Sequence, residues 1–180
     1  MSGIKVAIAG LGNCASALLQ GIYAYRNREA EDATGLMHWE IGGYRPGDLE
    51  VVAALDIDRR KVGRDVSEAV FAAPNCTRVF HPEIPRQNVV VRMGRVLDGF
   101  SEHMRGYREE DTFLPAEDAE PDAEDVVRLL RESGAEMLVN FLPVGSEEAT
   151  RFYAECALRA GLGLINCIPV FVASEPEWSE

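Results

Sequence analysis

The chain has 180 residues, enough for one domain with a core of its own, and its 47% hydrophobic and 27% charged residues are ordinary for a globular protein. A formal net charge of −12 repels phosphate backbones and anionic membranes, which argues against nucleic acid or a membrane as partner, and no apolar run approaches the ~20 residues of a membrane span. Cys14, Cys76, Cys156 and Cys167 form no C-x-x-C pair and stand at no metal-ligand spacing from His38, His81 or His103, so neither a metal site nor a disulfide framework is expected, and the cytoplasm is the expected compartment.

Residues 4–9 read as a buried strand. Gly10-Leu11-Gly12-Asn13-Cys14-Ala15 follows at once, and Ala15, Leu18, Leu19 and Ile22 then repeat at helical spacing. Strand, G-x-G-x-x-A turn and helix in that order predict a dinucleotide-binding opening. Gly10 permits the tight turn, Gly12 lets a pyrophosphate approach the backbone, and Ala15 lets helix and strand pack closely. The helix N-terminus offers free N–H groups and a partial positive charge to the phosphates. A glycine-rich turn with no ligand is the alternative.

The helix is predicted from Asn13 to about Arg28, followed by a polar, irregular insert over 29–48. Residues 50–56 form an apolar run suited to a parallel strand buried on both faces. Asp58 is placed to cap a next helix that Val62, Val66, Ala69 and Val70 trace to about Phe71. A short β-rich run covers 88–92. Residues 94–121 have no clear period and form an irregular, acidic connector. A helix over 122–132 stops at Gly134. A strand over 136–142, a helix over 146–160 with Ser146 as N-cap, and a strand over 162–168 complete the pattern. The repeated βα order predicts an α/β fold with a mainly parallel, doubly wound sheet of Rossmann type.

In such sheets ligands lie beyond the carboxyl ends of the strands. Asp56 ends the second strand, where a carboxylate accepts hydrogen bonds from the ribose hydroxyls. It repels a 2′-phosphate by roughly 1 kcal/mol in water and about 4 in a shielded site, which favours NAD over NADP. Arg59-Arg60-Lys61 just after it offers the opposite, a set of cations for an extra phosphate. Leu142, Pro143 and Val144 stand at the end of the fourth predicted strand and would pass beside the nicotinamide half. Asn166 bonds either a ligand carboxamide or hydroxyl, or its own backbone.

The chain resembles the archaeal and bacterial myo-inositol-1-phosphate synthases (inositol-3-phosphate synthases), in particular their N-terminal NAD-binding half. The matching segments are G-L-G-N-C-A-S-A-L-L-Q-G-I from Gly10, G-L-M-H from Gly35, I-G-G-Y from Ile41 and V-V-A-A-L-D-I-D-R-R-K-V-G from Val51. They continue with A-A-P-N-C-T from Ala72, L-D-G from Leu97, L-P-V-G-S-E-E-A from Leu142, F-Y-A-E-C-A from Phe152 and P-V-F-V-A-S-E-P-E-W from Pro169. The resemblance implies an NAD-dependent isomerase that converts glucose 6-phosphate to inositol 3-phosphate, the precursor of inositol lipids. Internal oxidation at C5, aldol closure and reduction regenerate the cofactor within one turnover. It also implies a homo-oligomer, commonly a tetramer.

By the same resemblance Gly12, Asn13 and Cys14 contact the pyrophosphate and Asp56 the ribose, with Asn75 and Thr77 on the nicotinamide side. Asp65 and Tyr153 fall in matching segments as further cofactor-site candidates, Tyr153 being equally suited to the core. Met37 and His38 of the insert are candidates for the site's edge. Cys76 departs from the family's usual asparagine. The larger departure is length: family members carry a second half with a substrate-binding sheet and the lysines that hold the phosphate and stabilise the enolate. This chain has only Lys5 and Lys61, and neither is expected to serve an oxyanion. The expectation is therefore an incomplete NAD-binding domain with the catalytic region absent. A stand-alone NAD-binding or regulatory module, or an unrelated dehydrogenase sharing the domain, are the alternatives.

Overall fold

The computed structural model describes residues 3–100, 102–174 and Trp178. Ser101 of the connector and residues 175–177 of the last matching segment lie outside the described residues. Five strands form one sheet: β1 (Ile4–Ala9), β2 (Leu49–Asp56), β3 (Arg92–Met93), β4 (Met137–Asn140) and β5 (Gly163–Asn166), in the order β3-β2-β1-β4-β5. All four neighbouring pairs are parallel. The helices are α1 (Asn13–Tyr25), α2 (Val66–Ala69), α3 (Ala123–Ser133) and α4 (Glu147–Ala160).

A parallel sheet joined by helical crossovers must bury both faces. Alternation along β1 sorts its side chains accordingly. Val6 and Ile8 pack with Leu19 and Ile22 of α1 and with Val66 and Val70 around α2. Ala7 and Ala9 face the other way, toward Val126 and Leu130 of α3, Leu138 of β4 and the ring of Tyr153 from α4. Each large aliphatic side chain so buried contributes about 1.5–3 kcal/mol.

The helix ends follow local chemistry. Asp122 caps α3 by accepting from the Asp125 N–H at 2.8 Å, and the Asp125 carboxylate accepts from the Asp122 N–H in return. Gly134 and Gly161 end α3 and α4 in the left-handed conformation. The insert over 29–48 is irregular, with 3₁₀ turns at Ala30–Asp32 and Pro46–Asp48 and an antiparallel bridge between Ile41 and Tyr44.

Several expectations need correction. α1 ends at Tyr25 rather than near Arg28. The helix expected from Asp58 to Phe71 is a turn followed by the four-residue α2, capped by Asp65 instead of Asp58. The apolar residues that suggested the longer helix are tethered in a loop: the Gly63 and Val66 N–H groups donate to the Val91 and Val89 carbonyls, and the Val91 N–H donates to Arg64. That pairing also diverts the run over 88–92 from the sheet, leaving only Arg92–Met93 as β3. The fourth and fifth strands are shorter than expected and stop at Asn140 and Asn166. Ser146 holds the N-cap position of α4, but its hydroxyl makes no capping bond. The carboxylate of Asp98 takes that role, accepting from the Glu148 and Ala149 N–H groups at 2.8 and 3.0 Å.

Candidate functional site

The strand order reverses between β1 and β4, the switch point at which open α/β sheets bind ligands. A cleft of about 620 Å³ opens there, a volume usual for small-molecule sites. Gly10, Gly12, Asn13 and Cys14 line it from the turn after β1, Asp56 from the end of β2, and Leu142, Pro143 and Val144 from the turn after β4.

The glycine turn is built as its residues require. Gly10 has φ +89°, and a Cβ there would stand 2.8 Å from the Phe141 carbonyl oxygen, so only glycine fits. A Cβ on Gly12 would meet no atom within 4 Å and would project into open space. Ala15 is buried in the core beneath, which seats α1 close to the sheet. The first N–H groups of α1 have no carbonyl to bond within the helix.

The Leu11 peptide groups are held from within. The Leu11 N–H donates to Asp56 Oδ2 at 2.7 Å, and the Leu11 carbonyl accepts from Lys61 Nζ at 2.8 Å. Asp56 Oδ1 accepts from the Asp58 N–H at 2.8 Å. Lys61 Nζ and Asp56 Oδ2 are 3.9 Å apart, and the Lys61 side chain is fully buried. The run Arg59-Arg60-Lys61 is thus not a patch of free cations. Arg60 closes on Asp58, whose side chain is itself fully buried, and Lys61 turns inward; Arg59 is half-exposed and 3.8 Å from Glu109.

On the opposite lip, Asn13 is bracketed by the segment after α2. Its Oδ1 accepts from the Cys76 N–H at 2.9 Å and its Nδ2 donates to Cys76 Sγ at 3.2 Å. Cys76 therefore supplies the contact through its own backbone and sulfur. Thr77 does not line the cleft; its hydroxyl donates to the Asn13 carbonyl and its N–H to Asn75 Oδ1. Asn75 lines the cleft while its amide donates to the Val70 carbonyl.

Tyr153 reaches the cleft from α4 and is almost wholly buried. Its hydroxyl accepts from the Arg95 N–H at 2.9 Å, and burial drives its pKa well above the ordinary phenol value. Gly94 leaves room for that hydroxyl, since a Cβ there would come within 2.6 Å of it. Asp65 and Asn166 are placed elsewhere. Asp65 caps α2, accepting from the Ser67 N–H and hydroxyl and from the Gln87 N–H. Asn166 donates to the Ile168 and Val170 carbonyls and accepts from Asn140, the internal one of its two expected roles. Met37 is exposed on the insert, and neither it nor His38 is among the cleft's lining residues.

The connector over 94–121 was expected as an irregular acidic link; it forms a wall of the cleft through Arg95, Val96, Gly99, Met104 and Phe113. It is pinned at both ends. Asp98 sits on the N-terminus of α4. Arg60 donates to the Glu109 and Thr112 carbonyls while held by Asp58, and Asp58 also accepts from the Leu114 N–H at 2.9 Å. Among the described residues no group of three or more His, Cys, Asp or Glu side chains is placed to hold a metal ion, and no helix is long and apolar enough to cross a membrane.

No protein-family model matches the chain. The inositol-3-phosphate synthase of Corynebacterium glutamicum is 47% identical over 180 residues, 99% of this chain and 47% of the relative. That of Mycolicibacterium smegmatis is 46% identical over 178 residues, 98% of this chain and again 47% of the relative. The chain is homologous to inositol-3-phosphate synthases. It spans about half the length of the curated relatives it matches. The similarity takes in every element that builds the cleft, because it covers nearly the whole chain. Among solved structures, the crystal structure of Ari2 has a TM-score of 0.80 and 36% identity, covering 98% of this chain and 48% of that one. A myo-inositol-1-phosphate synthase-related protein from Thermotoga maritima shares the fold, with a TM-score of 0.64 and 23% identity over 98% of this chain and 50% of that one.

Proposed function

We propose that this chain is the NAD-binding part of an inositol-3-phosphate synthase. The observation that carries the reading is the glycine turn at the switch point, with Gly12 opening onto the cleft and α1 beginning immediately after it. The residues present suit a dinucleotide. The unbonded N–H groups at the start of α1 and the positive end of its dipole match a pyrophosphate. Each Asp56 oxygen accepts one backbone N–H, and an ionised carboxylate has about four acceptor positions, so capacity remains for two ribose hydroxyls. Arg60 and Lys61 are already engaged, which supports NAD over its 2′-phosphorylated analogue.

When bound, NAD supplies a hydride acceptor and donor. The chain's residues bind and orient it: the turn holds the phosphates, Cys76 fixes Asn13 on one lip, Leu142 to Val144 line the facing side, and the connector walls off water. By homology the substrate is glucose 6-phosphate, the product inositol 3-phosphate and the assembly a homo-oligomer. Lys5 lies near the start of β1, at the far end of the sheet, and Lys61 is buried under the turn, so these 180 residues carry no lysine for a substrate oxyanion. They are expected to bind NAD without isomerising glucose 6-phosphate by themselves.

Calorimetric titration tests this. One saturable NAD site, weaker binding of NADP, and loss of binding in Gly12→Val are expected. Absence of saturable NAD binding, or equal binding by Gly12→Val, contradicts the assignment.

A further inference from the structure

We propose that Lys61 is the positioning cation of the phosphate-binding turn: it aims the Gly12 N–H into the cleft and places its charge behind the pyrophosphate of a bound dinucleotide. This rests on the reading of the cleft as a dinucleotide site. Lys61 lies 50 residues from Leu11 in sequence, yet its Nζ donates to the Leu11 carbonyl at 2.8 Å from a fully buried position. A trans peptide points its C=O and its N–H in opposite directions. With the Leu11 oxygen drawn inward to Lys61, the N–H of the same peptide unit, that of Gly12, is turned outward, and Gly12 lines the cleft. Asp56 secures the preceding peptide unit by taking the Leu11 N–H at 2.7 Å. The turn is therefore gripped at two successive peptide units by one carboxylate and one ammonium.

The electrostatics point the same way. An ammonium has three donors, and its carboxylate neighbour, Asp56 Oδ2, is 3.9 Å away and already accepts a short backbone hydrogen bond. Asp56 also accepts from the Asp58 N–H through its other oxygen. Lys61 and Asp56 thus form a loose ion pair in a site shielded from water, where each charge acts on groups across the turn more strongly than it would in bulk solvent. A pyrophosphate at the start of α1 is the ligand group that answers the Lys61 charge. A nucleoside without phosphates does not.

The sequence has only two lysines, so lysine labelled with ¹³C at Cε and ¹⁵N at Nζ gives two assignable signals in the unmodified protein. NAD and ADP are expected to shift the Lys61 signal well beyond the shift adenosine causes through Asp56, and none of the three moves that of Lys5. Lys61→Met is expected to weaken NAD and ADP about ten-fold or more, the loss of a hydrogen bond to a charged group, with adenosine binding within about two-fold of the unmodified protein. Lys61→Arg is expected to recover part of the loss. Saturating NAD without moving the Lys61 signal overturns the proposal, as does a folded Lys61→Met that binds NAD with unchanged affinity or loses adenosine as much as ADP. If Lys61→Met does not fold, the lysine signals decide. Failure of the unmodified protein to bind either NAD or ADP instead removes the dinucleotide reading beneath the proposal.

Discussion

Three aspartates within ten positions show how position decides what a carboxylate does. Asp56 holds the glycine turn, Asp58 anchors Arg60 and the connector, and Asp65 caps α2. Burial pushes the Asp65 carboxyl upward, but hydrogen bonds from the Ser67 hydroxyl and from the Gln87, Ser67 and Asn88 backbone outweigh it and hold the pKa below its ordinary value. A depressed folded pKa stabilises above the unfolded value of about 3.9 and loses that contribution as pH falls through the folded value. Asp65→Ala is therefore expected to cost about 1–2 kcal/mol at pH 7, by urea denaturation, and less at pH 3. An equal cost at both values would mean that the ionised form contributes nothing.

Gly10 makes a second residue-scale prediction. Gly10→Ala adds a left-handed backbone penalty to a close approach to the Phe141 carbonyl, and is expected to lower stability by about 1–3 kcal/mol in the same assay. The need for Gly10 was legible in the sequence, because a turn straight out of a strand calls for glycine. The role of Lys61 was not. A lysine at the end of Arg-Arg-Lys reads as a solvated cation, and its acceptor lies in a different element 50 residues away. Asp65 was expected at a ligand and Asn166 at a ligand or its own backbone, and both are engaged with their own chain, since Asp and Asn serve backbone N–H and C=O groups as readily as a ligand's.

At the scale of elements, the long periodic segments were legible and the short ones were not. α1, α3 and α4 each carry an apolar stripe over three turns or more, and β1 and β2 carry unbroken apolar runs over 6–9 and 51–55. The segment from Asp58 to Phe71 has helical spacing too, but the peptide groups of Val89 and Val91 compete for its backbone and leave only α2. The cap of α4 misled for a related reason. Ser146 stands at the right place, but Asp98 brings a full charge to the helix N-terminus from the connector. Asp98→Ala is expected to cost about 1 kcal/mol and to speed tryptic cleavage at Arg105 and Arg108, because it removes one of the connector's two anchors. Unchanged cleavage at those sites would show that the Arg60 anchor holds the segment alone.

At the scale of the whole molecule, the βα alternation predicted a parallel, doubly wound sheet, and its strand order places the turns after β1 and β4 on either side of one crevice. What the sequence did not show is that the acidic connector is part of the cleft wall, because its contacts run through Arg60, Tyr153 and α4 rather than through any period of its own. The cysteines give a test of that assembled cleft. Cys14, Cys76 and Cys167 are exposed and line it, whereas Cys156 is buried and its thiol is pushed up to about 11, chiefly by burial. Burial, then the neighbouring Cys14, raise Cys167 as well. A thiol reagent at pH 8 is expected to label Cys14 and Cys76 first, Cys167 more slowly and Cys156 only on unfolding, with saturating NAD protecting the three cleft cysteines.

The most direct measurement is a crystal structure of the 180-residue protein with NAD. Pyrophosphate density is expected against Gly12 and the first turn of α1, with the adenosine ribose at Asp56. A nucleotide bound away from the Gly10–Gly12 turn, or a cleft without nucleotide density at saturating NAD, would contradict it.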